Sequence, residues 1–287
     1  MKCLEDIRFV MELLVRENKT SNKKINKLLK LLNAINFELA KDKQKEKPLV
    51  LSIQDGFLPK FINLLVTQKE INHTIGIAGE SACGKTTFVS SIMSVFSHLK
   101  NKNYYTSLCC DDYYLDTSDA LEKVNGSFEE YFKLGYSFDT PDALNLELLN
   151  SHLESLKNNV DITSPKYDFV TCKSELDKGE FKKSSKIIIL EGLFALNEKL
   201  HNSVDIKVYI DTPFDIIKER WFKRAASRGK TGDAANVQFN DVNNAASKYI
   251  RPHKHNADIV LNGCVCASYI VEFTQSMVNA VFNALKD

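Results

Sequence analysis

The chain has 287 residues, 44% of them hydrophobic and 26% charged, with only 11 Gly and 6 Pro, a balance that excludes a disordered or fibrous protein and supplies a sizeable core. A formal net charge of +1 gives no overall electrostatic reason to bind nucleic acid or an anionic membrane, so the expected partner is a small molecule. The longest apolar stretches are strand-sized, the opening MKCLEDIRFV carries acids where a signal peptide needs an apolar core, and the seven cysteines form no CxxC pair, so a reduced, cytoplasmic protein is expected.

From the N-terminus, Leu4, Ile7, Val10, Met11 and Leu14 recur at helical spacing, and Ile25, Leu28, Leu29, Leu32 and Ile35 repeat the pattern after a polar break. A helical extension over 1–66 is expected ahead of a main domain over 67–287. Its apolar stripe must be buried, either on its own domain, on another protein or on a second subunit, so a homo-oligomer stays open. From residue 73 onwards, short apolar runs alternate with longer amphipathic ones, the pattern of βα units around a mainly parallel, doubly wound α/β sheet. The expected strands are 73–78, 104–110, 187–190, 206–210 and 257–261. Ligands of such sheets lie beyond the carboxyl ends of the strands, and each of the first four strands is followed at once by Gly, Asp or Glu.

The first of these strands runs into Gly79, Glu80, Ser81, Ala82, Cys83, Gly84, Lys85, Thr86 and Thr87, which fits GxxxxGK[ST] and is followed by an amphipathic stretch. In this P-loop pattern the glycines let backbone N–H groups wrap a phosphate. The following helix adds the positive end of its dipole, Lys85 reaches the β- and γ-phosphates, and the Thr86 hydroxyl ligates Mg²⁺. ATP and Mg²⁺ are therefore the expected cofactors. The motif alone does not separate a kinase from a GTPase, a motor or an inactive binding module. Further along, the second strand ends in Asp111 and Asp112 and the third in Glu191, which puts carboxylates at the sheet edge beside the phosphate loop. Asp111 is the candidate general base for an attacking hydroxyl, and Asp111 and Glu191 join Thr86 as candidate metal ligands. Arg220, Arg224 and Arg228 fall at i, i+4 and i+8 on one helix face, with Lys230 just beyond Gly229.

Together these segments closely resemble the uridine kinase and phosphoribulokinase family of P-loop kinases over about residues 73–262. The likeness rests on GIAGESACGKTT, DDYY, SFDTPDALN, SPKYDF, ILEGLFAL, the basic helix from Arg220, and KYIRPHKHNADIVLNG. It implies a doubly wound kinase in which Asp111 activates the acceptor hydroxyl and Arg220, Arg224, Arg228 and Lys230 belong to a lid over the transferring phosphate. Asp139 and Tyr167 match positions that line the nucleoside pocket of uridine kinases, and Tyr114 and Cys172 are the neighbouring acceptor contacts. Where uridine kinases carry a His and then an Arg after YDF, this chain has Cys172, Lys173 and Ser174, so the catalytic half matches better than the acceptor half. Cys83 and Cys109 fall where plant-type phosphoribulokinase carries regulatory thiols, and a disulfide between them would need adjacent strand ends. The expected activity is transfer of the ATP γ-phosphate to a uridine- or cytidine-like nucleoside. A sugar phosphate, pantothenate or glycerate is the alternative acceptor, and a non-catalytic NTP-binding regulator is the reading from a different class.

Overall fold

The computed structural model describes residues 22–55, 57, 60–61, 72–97, 105–176 and 178–285. The stripe from Leu4 to Leu14 lies outside them. Helix α1 (Asn22–Lys43) covers the second N-terminal stripe, whose Leu32 and Ile35 are buried while Leu29 is 40% exposed and Leu31, outside the stripe, is buried instead. After it the expectation of helix fails, because Val50–Ile53 is a strand, β1. Asp42 makes the turn between them: its carboxylate accepts the N–H groups of Leu49 and Val50, each at 2.8 Å. Four residues are too few to show a period, so nothing in the spacing marked this strand.

The main sheet contains β1, β2 (His73–Gly79), β3 (Tyr105–Cys109), β8 (Ile187–Glu191), β9 (Ile206–Asp211) and β10 (Ile259–Asn262), in the order β1-β10-β9-β2-β8-β3. Every neighbouring pair is parallel except β1 with β10. Two small antiparallel pairs lie outside it, β4 (Ile162–Thr163) with β7 (Phe181–Lys182) and β5 (Lys166–Asp168) with β6 (Lys173–Glu175).

β8 reads as an unbroken apolar run because both faces of the sheet are covered there, whereas β3 at the end of the sheet alternates in burial. Along β8, Ile188 and Leu190 face one core with Leu149, Leu153 and Leu156 of helix α5 (Leu146–Lys157), whereas Ile189 faces the other core. That second core joins Leu32 of α1, Val89 and Ile92 of α2 (Lys85–Ser97), and Ile270 of α8 (Ala267–Leu285). The helical N-terminal part thus shares a core with the sheet. Helices α3 (Ser118–Lys123) and α4 (Phe128–Lys133) follow β3, and α6 (Phe214–Ser227) and α7 (Gly232–Ala245) lie between β9 and β10. Among the described residues, no helix is long and apolar enough to cross a membrane.

Register then brings the chemistry together. Glu191 pairs in level with Ile77 of β2 and Cys109 of β3, and Gly79 is level with Ile210. The phosphate-loop glycine, Glu191 and the start of the Asp111 segment consequently emerge at one edge.

Candidate active site

The loop from Gly79 to Gly84 owes its shape to residues that tolerate crowding and positive φ. Gly84 has φ +110° and Ala82 φ +66°, the second a strained value for a residue with a Cβ. A Cβ on Gly79 would lie 2.7 Å from both the Cys83 sulfur and the Ile210 carbonyl oxygen, so no larger residue fits. The Lys85 ammonium donates to the carbonyl oxygens of Gly79 (2.8 Å) and Glu80 (3.0 Å), which folds it over the mouth of the loop.

Three contacts that the sequence pattern does not announce hold the loop from below. The Thr212 hydroxyl donates to the Cys83 carbonyl at 2.8 Å. Arg220 Nη1 donates to the carbonyls of Gly263 (2.9 Å) and Cys83 (3.3 Å). The Glu80 carboxylate accepts a fork from Arg251, at 3.0 and 2.9 Å. Arg220 and Glu80 were both expected at the phosphates, but their side chains are committed to bracing the loop. Arg251 lies within KYIRPHKHN and carried no assigned role. Its signal was the lone arginine after a short apolar run, which does not reveal its partner.

Arg224 does reach the loop mouth, donating to the Ser81 hydroxyl, and burial lowers its pKa, with Arg228 reinforcing the effect. Arg228 is exposed at the end of α6 and acts on Asp111 through space. Lys230 turns elsewhere, with its ammonium 5.4 Å from the Phe128 ring centroid and donating to Gln238 at 3.2 Å. Thr87 is exposed in the first turn of α2.

Facing the loop is a group of carboxylates that burial keeps short of counter-charge. Burial raises Asp111 against the pull of Lys85, Arg224 and Arg228. Burial also raises Glu191, which Lys85 and the adjacent Thr86 hydroxyl partly offset and Asp111 reinforces. Asp139 is pushed up to about 6 by burial and by the Asp111 charge, with Lys85 and Arg224 opposing. Each of these causes requires proximity, so Asp111, Asp139, Glu191, Lys85 and Arg224 form one electrostatic cluster.

The same cluster meets the requirements of a hard divalent cation. Glu191 Oε2 is buried and makes no hydrogen bond within the protein, and Thr86 and Asp111 add oxygen donors at the same edge. Among the described residues no group of three or more His, Cys, Asp and Glu is set to enclose a metal. Two carboxylates and a hydroxyl at one edge are a donor set of the kind Mg²⁺ takes, with phosphate and water completing its shell.

Phe138 and Thr140, the chain neighbours of Asp139, help line a cavity of about 250 Å³ together with Tyr114, Thr117, Tyr131 and Tyr167. Tyr114 is fixed by donating to the Phe138 carbonyl at 2.8 Å, and its ring lies 5.2 Å from that of Tyr167. Among the described residues, neither Lys nor Arg lines this cavity. Cys172, expected to touch the acceptor, does not line it either: the residue is fully buried behind Tyr131 and Tyr167 at φ +55°. Helix α4, which carries Tyr131, went unassigned because its six residues give less than two turns of pattern.

The thiols Cys83 and Cys109 are not on adjacent strands. β8 separates β2 from β3, so the sulfur-bearing ends stand about two strand spacings apart, roughly 10 Å, beyond the span of a disulfide. Burial also raises both thiols, Cys109 to about 12, which removes the reactive thiolate.

The profile of the phosphoribulokinase / uridine kinase family matches residues 74–268. A uridine kinase of Borrelia garinii subsp. bavariensis is 37% identical over 193 residues, covering 65% of this chain and 84% of its own. One from Psychromonas ingrahamii is 33% identical over 193 residues, covering 65% and 85%. Among solved structures, a kinase from a Silicibacter species whose name places it in a fructose transport system superposes with a TM-score of 0.53 at 18% identity, covering 68% of this chain and 91% of its own.

Proposed function

The chain belongs to the phosphoribulokinase / uridine kinase family, and from that premise we propose that it is an ATP-dependent kinase that moves the γ-phosphate onto a hydroxyl of a pyrimidine nucleoside. The observation that carries the choice of acceptor is the aromatic cavity next to Phe138, which among the described residues no Lys or Arg lines. A flat base stacks on such walls, whereas a sugar phosphate or glycerate brings an anion that this lining would leave unpaired. Uridine is the acceptor named for the relatives, and it fits this chemistry.

The residues divide the work by position. Main-chain amides of residues 79–86 cradle the phosphates, and Lys85 shifts from the Gly79 and Glu80 carbonyls to the β- and γ-phosphates. Asp139 accepts the ribose hydroxyls and so aims the reacting oxygen at Asp111, which takes its proton as the new bond to the γ-phosphorus forms and the bond from that phosphorus to the bridging oxygen breaks, releasing ADP. Arg224 and Arg228 offset charge on the transferring phosphoryl group. Thr86, Asp111 and Glu191 would hold Mg²⁺, whose charge offsets that of the β- and γ-phosphates. Transfer is assigned to residues 67–287, with 1–66 an extension fastened through α1 and β1.

Replacing the base separates transfer from mere nucleotide binding. Asp111→Asn is expected to lower kcat by about 10²–10⁴, the usual contribution of a positioned base, while ATP binding measured by calorimetry changes by less than about tenfold. Unchanged kcat in that variant would contradict the assignment of the base.

A further inference from the structure

The phosphate loop carries an acid of its own, at the position where a triphosphate has to bind. Glu80 follows directly on Gly79, and the adjacent strand β9 ends in another acid, Asp211. Gly79 is level with Ile210, so Glu80 and Asp211 leave the sheet from neighbouring strand ends. A polyanion seated there meets two like charges besides those of the carboxylates that would hold a metal.

One segment supplies a cation for each of them. Between α7 and β10 the chain passes through the turn Arg251–Asn256, which carries both Arg251 and Lys254. Arg251 grips the two Glu80 oxygens at 3.0 and 2.9 Å, and Lys254 meets Asp211 at 2.6 Å. The pairs differ in burial: the Glu80 side chain is 13% exposed and that of Arg251 36%, against 33% for Asp211 and 44% for Lys254. Water screens the second pair more, which leaves Glu80–Arg251 as the pair whose charge balance the loop feels. The guanidinium is also held from behind, donating to Asn243 Oδ1 of α7 at 2.6 Å and lying 6.0 Å from the Phe214 ring centroid. Hydrogen bonding to Glu80 raises the Arg251 pKa further, so the cation is permanent. The loop has other supports for its shape, since Thr212 and Arg220 both hold the Cys83 carbonyl.

Resting on the reading that this loop binds MgATP, we propose that Arg251 is a positioning residue for the nucleotide, cancelling the Glu80 charge so that the phosphate loop can accept a polyanionic tail. It acts through Glu80 and touches no reacting atom. With the fork in place the loop presents its amides and Lys85 to the phosphates; without Arg251 it presents an uncompensated carboxylate beside them.

Calorimetry of MgATP binding, with no acceptor present, reads this directly. Arg251→Gln keeps a donor for Glu80 but removes the charge, and should weaken MgATP binding by roughly tenfold or more, a loss that shrinks as salt is raised. In steady-state kinetics KM for ATP should rise by the same factor with kcat within about threefold, because the lost interaction is made equally before and during transfer. Glu80→Gln removes the acid and leaves the cation, so it should bind MgATP at least as tightly as the parent; a brace that acts only through shape predicts weaker binding. Glu80→Gln/Arg251→Gln should return to within about threefold of the parent, and Lys254→Gln at the more exposed pair should change affinity by less than about threefold. Unchanged MgATP binding in Arg251→Gln overturns the proposal, as does weaker binding in Glu80→Gln or a double variant no better than Arg251→Gln. A parent that takes up no MgATP would instead overturn the nucleotide reading beneath it, and a parent that binds MgATP but phosphorylates no nucleoside would overturn only the acceptor.

Discussion

At the scale of single residues, the site shows how far a side chain's role depends on what lies behind it. Arg220 and Arg224 are one helical turn apart, yet Arg220 holds the Cys83 and Gly263 carbonyls and Arg224 meets Ser81 at the loop mouth. Arg220→Ala should therefore loosen the loop, raising KM for ATP and lowering thermal stability. Arg224→Ala should lower kcat by roughly a hundredfold or more, the loss typical of a cation on developing charge, with KM for ATP nearly unchanged. Steady-state kinetics on both variants checks the split, and matching profiles would contradict it. Asp139 offers a second residue-level test, because its carboxyl is pushed up from 3.8 to about 6 in the folded chain by burial and the Asp111 charge. The folded form holds that proton more tightly than the unfolded form, so stability falls as pH rises from about 4 to about 6 and the penalty is complete above that window. Asp139→Asn should accordingly be more stable than the parent at pH about 8, by on the order of 1–3 kcal/mol, and the gain should vanish near pH about 4. Urea titrations at the two pH values measure it. Sequence reading placed Arg224, Asp111, Asp139 and Lys85 where the structure gathers them. It could not foresee that Arg220 braces or that Cys172 is sealed in, because spacing reports a face and not the neighbour on it.

Among the elements, those with long periods were readable and the short ones were not. The five parallel strands show as largely apolar runs, the first four of them followed at once by Gly, Asp or Glu, because the sheet is covered on both faces. β1 and the small pairs β4–β7 and β5–β6 have two to four residues a strand, too short for any period to emerge. β1 depends instead on one buried acid. Asp42 is 1% exposed and accepts from Leu49 N–H, Val50 N–H and the Tyr269 hydroxyl, each at 2.8 Å, so it ties α1 to β1 and to α8. Asp42→Ala leaves two buried N–H groups and a phenol without an acceptor and should cost about 3–5 kcal/mol in chemical denaturation. Tyr269→Phe removes one of the three bonds and should cost only about 1 kcal/mol. Equal costs for the two would show that the carboxylate is not the organising group.

Across the whole molecule, strand order decides what the linear sequence leaves undetermined. Glu191 comes to lie beside Thr86 and Asp111 because β8 inserts between β2 and β3, and the same insertion separates Cys83 from Cys109. One topological fact thus assembles the proposed metal edge and removes the disulfide that sequence position suggested. A second fact joins the two sides of the cleft. Lys230, beyond the arginine helix, reaches over the Phe128 ring of α4, so the segment after α6 touches the helix whose Tyr131 lines the aromatic cavity. The most direct test is to incubate the protein with ATP, Mg²⁺ and uridine and to read the nucleoside by mass spectrometry. Phosphoryl transfer predicts a uridine monophosphate that accumulates in step with ADP and disappears with Asp111→Asn. ADP formed without any phosphorylated nucleoside, from uridine or cytidine alike, would contradict the account.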